Sequence, residues 1–322
     1  MVDLTFVVIN WNSGWMLDRC LPTLLKQDGC KVEVIVIDND SSDNSLEILE
    51  QFKQQVKIVA NKENTGYSRA ANQGITLSSS RYVSIINPDV MLSPNYGYHI
   101  VKKMDENNAI GAATGKLIKY DFKTNKSLDV IDSTGIEKDK GYNMFDRGQN
   151  SEDLNYYDSK QHVFGVSGAA PLYRKEALES VSRSNEFFDE DFFAYKEDID
   201  LSWRLNIFNW KCVFVPEAEG YHGRGFGAPV NKGLKEKIKF RRNQSLFLRK
   251  LSLRNHYCLL IKNLKLSELN FHIIKNEVSK FGYCLLFETK TLNALFELIP
   301  LLPKMLKKRK FLFDNAKKCK FD

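Results

Sequence analysis

The start of the chain alternates two periodicities, and that alternation narrows the possible folds more than any other feature. Leu4-Thr5-Phe6-Val7-Val8-Ile9 is a near-continuous apolar run, suited to a strand covered on both faces. The turn Asn10-Trp11-Asn12-Ser13-Gly14 follows, and then Leu17, Leu21, Leu24 and Leu25 at helical spacing. Val32 to Ile37 repeats the strand pattern and ends in the polar cluster Asp38-Asn39-Asp40-Ser41-Ser42-Asp43. A helix over Leu46, Leu49 and Phe52 and a short strand from Val56 to Ala60 complete a βαβαβ unit. Such a unit implies a parallel sheet with helices packed on it.

A dinucleotide-binding version of that sheet is argued against by its first turn. Pyrophosphate binding there needs several glycines so that backbone amides can approach, whereas this turn has one glycine and an indole. The polar cluster follows the second strand instead. Asp38 is placed to accept hydrogen bonds from a base or ribose, or to cap the helix after it. Asn87-Pro88-Asp89 follows the apolar run Tyr82 to Ile86, which puts Asp89 beyond a strand's carboxyl end, where open α/β sheets bind ligands. It is also ordinary turn chemistry.

The chemistry-bearing stretch is Phe192-Phe193-Ala194-Tyr195-Lys196-Glu197-Asp198-Ile199-Asp200-Leu201-Ser202-Trp203-Arg204. A helix beginning near Asp198 sets Glu197 and Asp198 in its first turn. Carboxylates there are favoured by the helix dipole. They also suit a general base at the mouth of a cleft, beside aromatics able to meet a sugar face.

Several ordered stretches resemble the family 2 glycosyltransferases of the GT-A fold, near the bacterial rhamnosyltransferase-like branch. They are Val8 to Asn12, Val36 to Asp43, Asn64 to Gly74, Asn87 to Val90, Gly168 to Ala170, Glu197 to Leu201 with Arg204, and Pro216 to His222, covering roughly residues 4 to 230. The resemblance implies a GT-A fold, a Rossmann-like and mostly parallel sheet flanked by helices, with a C-terminal helical region. It also implies an inverting transfer from a nucleotide-sugar donor, with dTDP-rhamnose as the donor suggested by that branch.

Carried onto this sequence, the family pattern puts Ile9, Asn10, Asn12, Asp38, Asn72, Asn87 and Arg204 at the donor. Asp198 takes the place of the catalytic base, with Glu197 as second candidate. Asp89 takes the last position of the DXD metal motif and His222 that of a third group on the metal and diphosphate, with Mg2+ or Mn2+ as the implied ion. The chain departs from the pattern at Asn87, the first DXD position, at Asn209 in place of a glycine, and at Gly227 in place of a serine. Asparagine tolerates the left-handed conformation of a helix end. The loop Gly223 to Gly227 reads as mobile, with Arg224 able to meet phosphate or to stay in water.

Between the halves lies an insertion, Asp121 to Gln161, whose turns predict a hairpin over the acceptor side and a polar loop from Asn150 to Lys160. Val163 to Ala170 reads as a strand of small residues. The expected parts are 1–110 as the donor half, 111–231 as the acceptor and catalytic half, and 232–322 as a basic helical region.

The charge splits along that last boundary. Residues 1–231 carry a net −8 and residues 232–322 a net +15. In the basic part Leu292, Leu295, Phe296 and Ile299 form an apolar stripe, interrupted by Pro300 and Pro303, ahead of Lys307-Lys308-Arg309-Lys310. Cations interleaved with large apolar groups suit an anionic membrane surface, or else a helical subdomain docked on the catalytic part. Nucleic acid is not expected, because no zinc-finger or RNP pattern accompanies the basic run. No apolar run reaches the ~20 residues that span a bilayer. With no signal peptide read at Met1 and six cysteines lacking metal spacing, the expected location is the cytoplasm, at the inner face of the membrane. The expected partners are a nucleotide sugar and a glycan or lipid-linked acceptor. The competing expectation is a catalytically silent GT-A domain that works through its basic tail.

Overall fold

The computed structural model describes residues 2–152, 154–223 and 233–317. The expected alternation is present: β1 (Leu4–Asn10), α1 (Gly14–Leu25), β2 (Val32–Asp38), α2 (Ser45–Phe52), β3 (Lys57–Ala60), α3 (Tyr67–Leu77) and β4 (Tyr82–Ile86). All seven residues of β1 are buried, as its unbroken apolar run requires. Leu17, Leu21 and Leu24 of α1 meet Phe6, Val8, Val34 and Val36 on one sheet face, while Ala70, Ala71 and Ile75 of α3 meet Val7 and Ile35 on the other.

The second half adds β5 (Val90–Leu92), α4 (Tyr96–Glu106), β6 (Ile110–Asp121), β7 (Lys126–Ser133), β8 (Ile136–Lys138), β9 (Met144–Asp146), β10 (His162–Val163), β11 (Leu172–Arg174), α5 (Lys175–Val181), α6 (Glu197–Ile207) and β12 (Lys211–His222). The large sheet runs β10-β12-β6-β11-β4-β1-β2-β3. β4, β1, β2 and β3 are mutually parallel, and β11 enters antiparallel between β4 and β6. Register pairs Asn10 with Asp38, so both polar strand ends open at one edge.

Among the described residues four α-helices follow: α7 (Leu234–Asn243), α8 (Leu246–Asn263), α9 (Phe271–Phe287) and α10 (Ala294–Ala316). α10 runs unbroken through Pro300 and Pro303, contrary to the expected interruption. Beyond β10 residues 164–170 form no continuous strand, and Gly165 alone pairs, antiparallel, with Ile136, so the strand expected from Val163 to Ala170 is not formed as such. The insertion is pinned rather than loose. Buried Arg147 donates to the carbonyls of Lys160, His162 and Thr134, and Lys116 pairs with Asp158 at 2.9 Å. Asn209 has φ 65, the left-handed value its substitution for glycine anticipates. The positions of Arg224 and Gly227 lie outside the described residues.

Candidate active site

The carboxyl ends of the parallel strands open onto a cavity of about 880 Å³. Ile9, Asn87, Asp89, Glu197, Asp198 and His222 all line it. The β8–β9 hairpin contributes Ile136, Met144, Phe145 and Asp146 from the opposite side, where a covering hairpin was expected.

The acidic stretch from Phe192 to Arg204 reaches this cavity through a strained turn. Phe193 has φ 62 and ψ −64, and the N–H of Ala194 donates to the carbonyl of Phe192 at 2.7 Å. That is a γ-turn of the rare, strained hand. Tyr195 and Lys196 are also left-handed, at φ 68 and 70, and residues in such conformations cost of order 1–3 kcal/mol each unless their surroundings fix them. The surroundings here are α8 and Gly66. Buried Asn255 spends its amide N–H groups on the carbonyls of Phe192, Ala194 and Tyr195, each at 2.8 Å. Arg254 donates to the carbonyl of Asp191 at 2.9 Å. Gly66, at φ 84, leaves room for the Phe193 ring, which a Cβ at that position would strike.

α6 begins directly after this turn and presents Glu197 and Asp198. Asp198 accepts from the backbone N–H of Gly168 at 3.0 Å and of Ile199 at 2.8 Å. Burial, with the Asp146 charge, leaves its pKa raised, and those two donors limit the rise. Glu197 lacks that support: its Oε2 is buried without a hydrogen-bond partner. Burial, and then the neighbouring Asp198 charge, push it up to about 8, so it keeps its proton at neutral pH. Asp200, the third acid, turns away. It pairs with Arg204 and Lys262, each at 2.9 Å, in a buried network that also takes in Asp189.

Across the cavity, His222 ends β12 between two carboxylates. Its Nδ1 lies 2.7 Å from Asp132 and its Nε2 3.3 Å from Asp89. Burial alone would lower the imidazole pKa, but the two carboxylates outweigh it and lift it to about 9. Among the described residues no cluster of three or more His, Cys, Asp and Glu is gathered for a metal. Asp89 nevertheless offers an oxygen, and His222 a nitrogen once its Nε2 proton is released, to the same cavity, a set that suits a divalent ion whose other ligands come from a diphosphate.

The remaining sequence candidates serve the frame. Asn10 donates to Asp38 at 2.7 Å and to Ser41, Asp38 accepts from the Ser41 N–H, and exposed Asn12 accepts from the Ser42 N–H. These bonds splice the loops after β1 and β2, and none of the three residues lines the cavity. Asn72 exchanges two hydrogen bonds with the Phe188 backbone. Arg204 is buried, held by Asp200 and by the carbonyls of Val181 and Phe187. The structure therefore moves Arg204 and Asn72 from the expected donor site to the frame. Trp11, Asn39, Asn64, Tyr67 and Lys196 line the cavity without having been singled out. The signal for most of them was position, in the same strand-end stretches as the predicted residues.

A mostly parallel sheet with this strand-end cavity, completed by an antiparallel lobe, is a GT-A fold. Solved structures of that shape align along nearly the whole chain. A GalNAc-T7 complex with UDP, GalNAc and Mn2+ superposes with a TM-score of 0.64 at 14% identity, covering 97% of this chain and 55% of that one. The mannosyltransferase PcManGT of Pyrobaculum calidifontis, solved with GDP-Man and Mn2+, gives 0.55 at 15% identity, covering 99% and 89%. Residues 5–182 match the sequence profile described as glycosyl transferase family 2, and the chain belongs to that family. The poly-beta-1,6-N-acetyl-D-glucosamine synthase of Staphylococcus epidermidis is 26% identical over 217 residues, covering 67% of this chain and 48% of that protein. The synthase of the same name from Staphylococcus aureus strain COL gives the same identity and coverage. The chain thus spans about half the length of these curated relatives, which do not single out the rhamnosyltransferase-like branch.

Proposed function

We propose that this chain transfers a sugar, with inversion, from a nucleoside-diphosphate donor to a hydroxyl of a surface-glycan or lipid-linked acceptor, with Asp198 as general base. The observation that carries this reading is the division of labour between two adjacent acids. Asp198 faces the cavity with two backbone N–H groups favouring its ionised form, while Glu197 is driven to stay protonated. A base must be ionised before the step, so Asp198 is the better of the pair.

In that step the acceptor hydroxyl gives its proton to the Asp198 carboxylate as its oxygen bonds to the anomeric carbon. The bond from that carbon to the diphosphate breaks on the opposite face, and the nucleoside diphosphate leaves with the electron pair. Asp89 and His222 would hold Mg2+ or Mn2+, which when bound supplies positive charge for the departing diphosphate. Mn2+ in the GalNAc-T7 and PcManGT complexes supports this assignment. The exposed Trp11 indole at the end of β1 suits a nucleoside base.

The site of action we propose is the cytoplasmic membrane surface. α9 leaves Phe271, Ile274, Val278, Phe281 and Leu285 exposed at steps of three and four, within a region of net charge +15. An apolar helix stripe in a cationic region suits an anionic interface. Among the described residues no helix is long and apolar enough to cross a membrane.

The test is nucleotide-sugar turnover with Mn2+ across dTDP-rhamnose, UDP-GlcNAc and GDP-mannose, run beside Asp198→Asn. One donor is expected to be consumed, and the variant is expected to lose on the order of 10²–10⁴ in rate. No turnover of any donor would favour the silent binding module, and a fully active variant would move the base to Glu197.

A further inference from the structure

A second cavity of about 590 Å³ lies among α7, α8, α9 and the turn between β8 and β9. It joins the active cavity at Met144, Lys196 and Ser252, which line both. Lys196, Arg241 and Lys280 face it, and its lining contains no carboxylate. His256 is also there, but burial pushes its pKa down to about 4 and leaves it neutral.

The three cations differ in what answers their charge. Arg241 is gripped by Glu288 at 2.7 and 2.8 Å, and Lys280 by Glu277 at 2.9 Å. Lys196 is half-buried and has no ion pair among the described residues; burial and the Lys280 ammonium lower its pKa to about 8, and the charges of Asp198 and Glu277 pull the other way. A half-buried cation without a direct partner is costly, and this one sits on a left-handed residue that adds strain of its own. Tuning of Asp198 by Lys196 would account for one ammonium. It would not account for the hydroxyl groups of Ser252 on α8 and Ser279 on α9, which face the same cavity.

We propose that the second cavity is an acceptor subsite for a phosphorylated sugar, with the phosphoryl group held between Lys196 and Lys280 and the sugar hydroxyls on α8 and α9. The inference rests on the acceptor entering the active cavity as proposed above.

The full chain, in excess UDP and Mn2+ so that the diphosphate position is filled, is titrated calorimetrically with glucose 6-phosphate, glucose and inorganic phosphate. Glucose 6-phosphate is expected to bind at least tenfold tighter than either of the others. Lys196→Gln and Lys280→Gln should each weaken it about tenfold, the worth of one charge-assisted hydrogen bond. An unchanged melting temperature of Lys280→Gln shows that its loss is not unfolding. Equal affinity for glucose, equal affinity for inorganic phosphate, displacement of UDP, or indifference to Lys280→Gln would each overturn the subsite. Lysine-dependent binding without any sugar transfer would instead sink the transferase reading and leave the subsite standing.

Discussion

The two flanks of the active cavity are built in opposite senses. On the N-terminal flank, polar side chains stand at strand ends and bond mostly to one another across neighbouring loops, as Asn10 does with Asp38 and Ser41. What they leave open is a face for a ligand. On the C-terminal flank the polar groups of α8 and α10 reach inward to the segment that carries the acids. Asn255 and Arg254 hold the turn before α6, Lys262 meets Asp189 and Asp200, and Lys308 meets Glu186, Asp189 and Asp191. The first flank is thus a face open to a ligand, and the second a clamp on the proposed base.

That contrast has direct consequences. Asn255→Ala removes the donor shared by three carbonyls of the strained turn, so turnover should fall about 100-fold, as expected when a reacting group is misplaced by an ångström. Nucleotide affinity, measured by calorimetry, should change far less. An equal fall in both would erase the distinction between the flanks. Asp89→Ala works from the other side: Mn2+-dependent nucleotide affinity should drop about tenfold, and EDTA should reproduce the loss in the parent. If neither treatment alters nucleotide binding, the binding flank does not use a metal. The smallest effect concerns the clamp's outer surface. Neutralising exposed Lys307 and Lys310 should weaken binding to anionic vesicles roughly fivefold per residue, and less at high salt. Vesicle binding unaltered by both changes would confine α10 to its clamping role.

Much of the first flank could be read from the sequence, because strand burial and helical spacing are local signals. The βαβαβ start and the strand-end position of Asp89 follow from neighbours in the chain, whereas Asp198 reads equally as a helix cap until the family resemblance singles it out. Pairings made at a distance left no such trace. Lys308 and Arg309 sit in a basic run that suggests a membrane patch, yet Lys308 meets three buried or half-buried acids and Arg309 donates to the carbonyls of Ile261 and Leu264. Only the outer members of that run, Lys307 and Lys310, remain for a surface. The family resemblance alone puts Arg204 at the donor, and the carbonyls of Val181 and Phe187 that hold it lie too far along the chain to be read locally.

The Asn255 bonds also impose an order on synthesis. The turn they hold leaves the ribosome first, and Asn255 follows 60 residues after Tyr195. Until α8 has emerged and folded back, the nascent chain carries the base on a strained turn with nothing to fix it. Sugar transfer should therefore be absent from chains stalled before α8 is exposed, even when their parallel sheet already binds nucleotide. Assays on a ladder of stalled lengths would place the onset of turnover. A cell would gain from that delay, since an unfinished chain could hold its donor without consuming it.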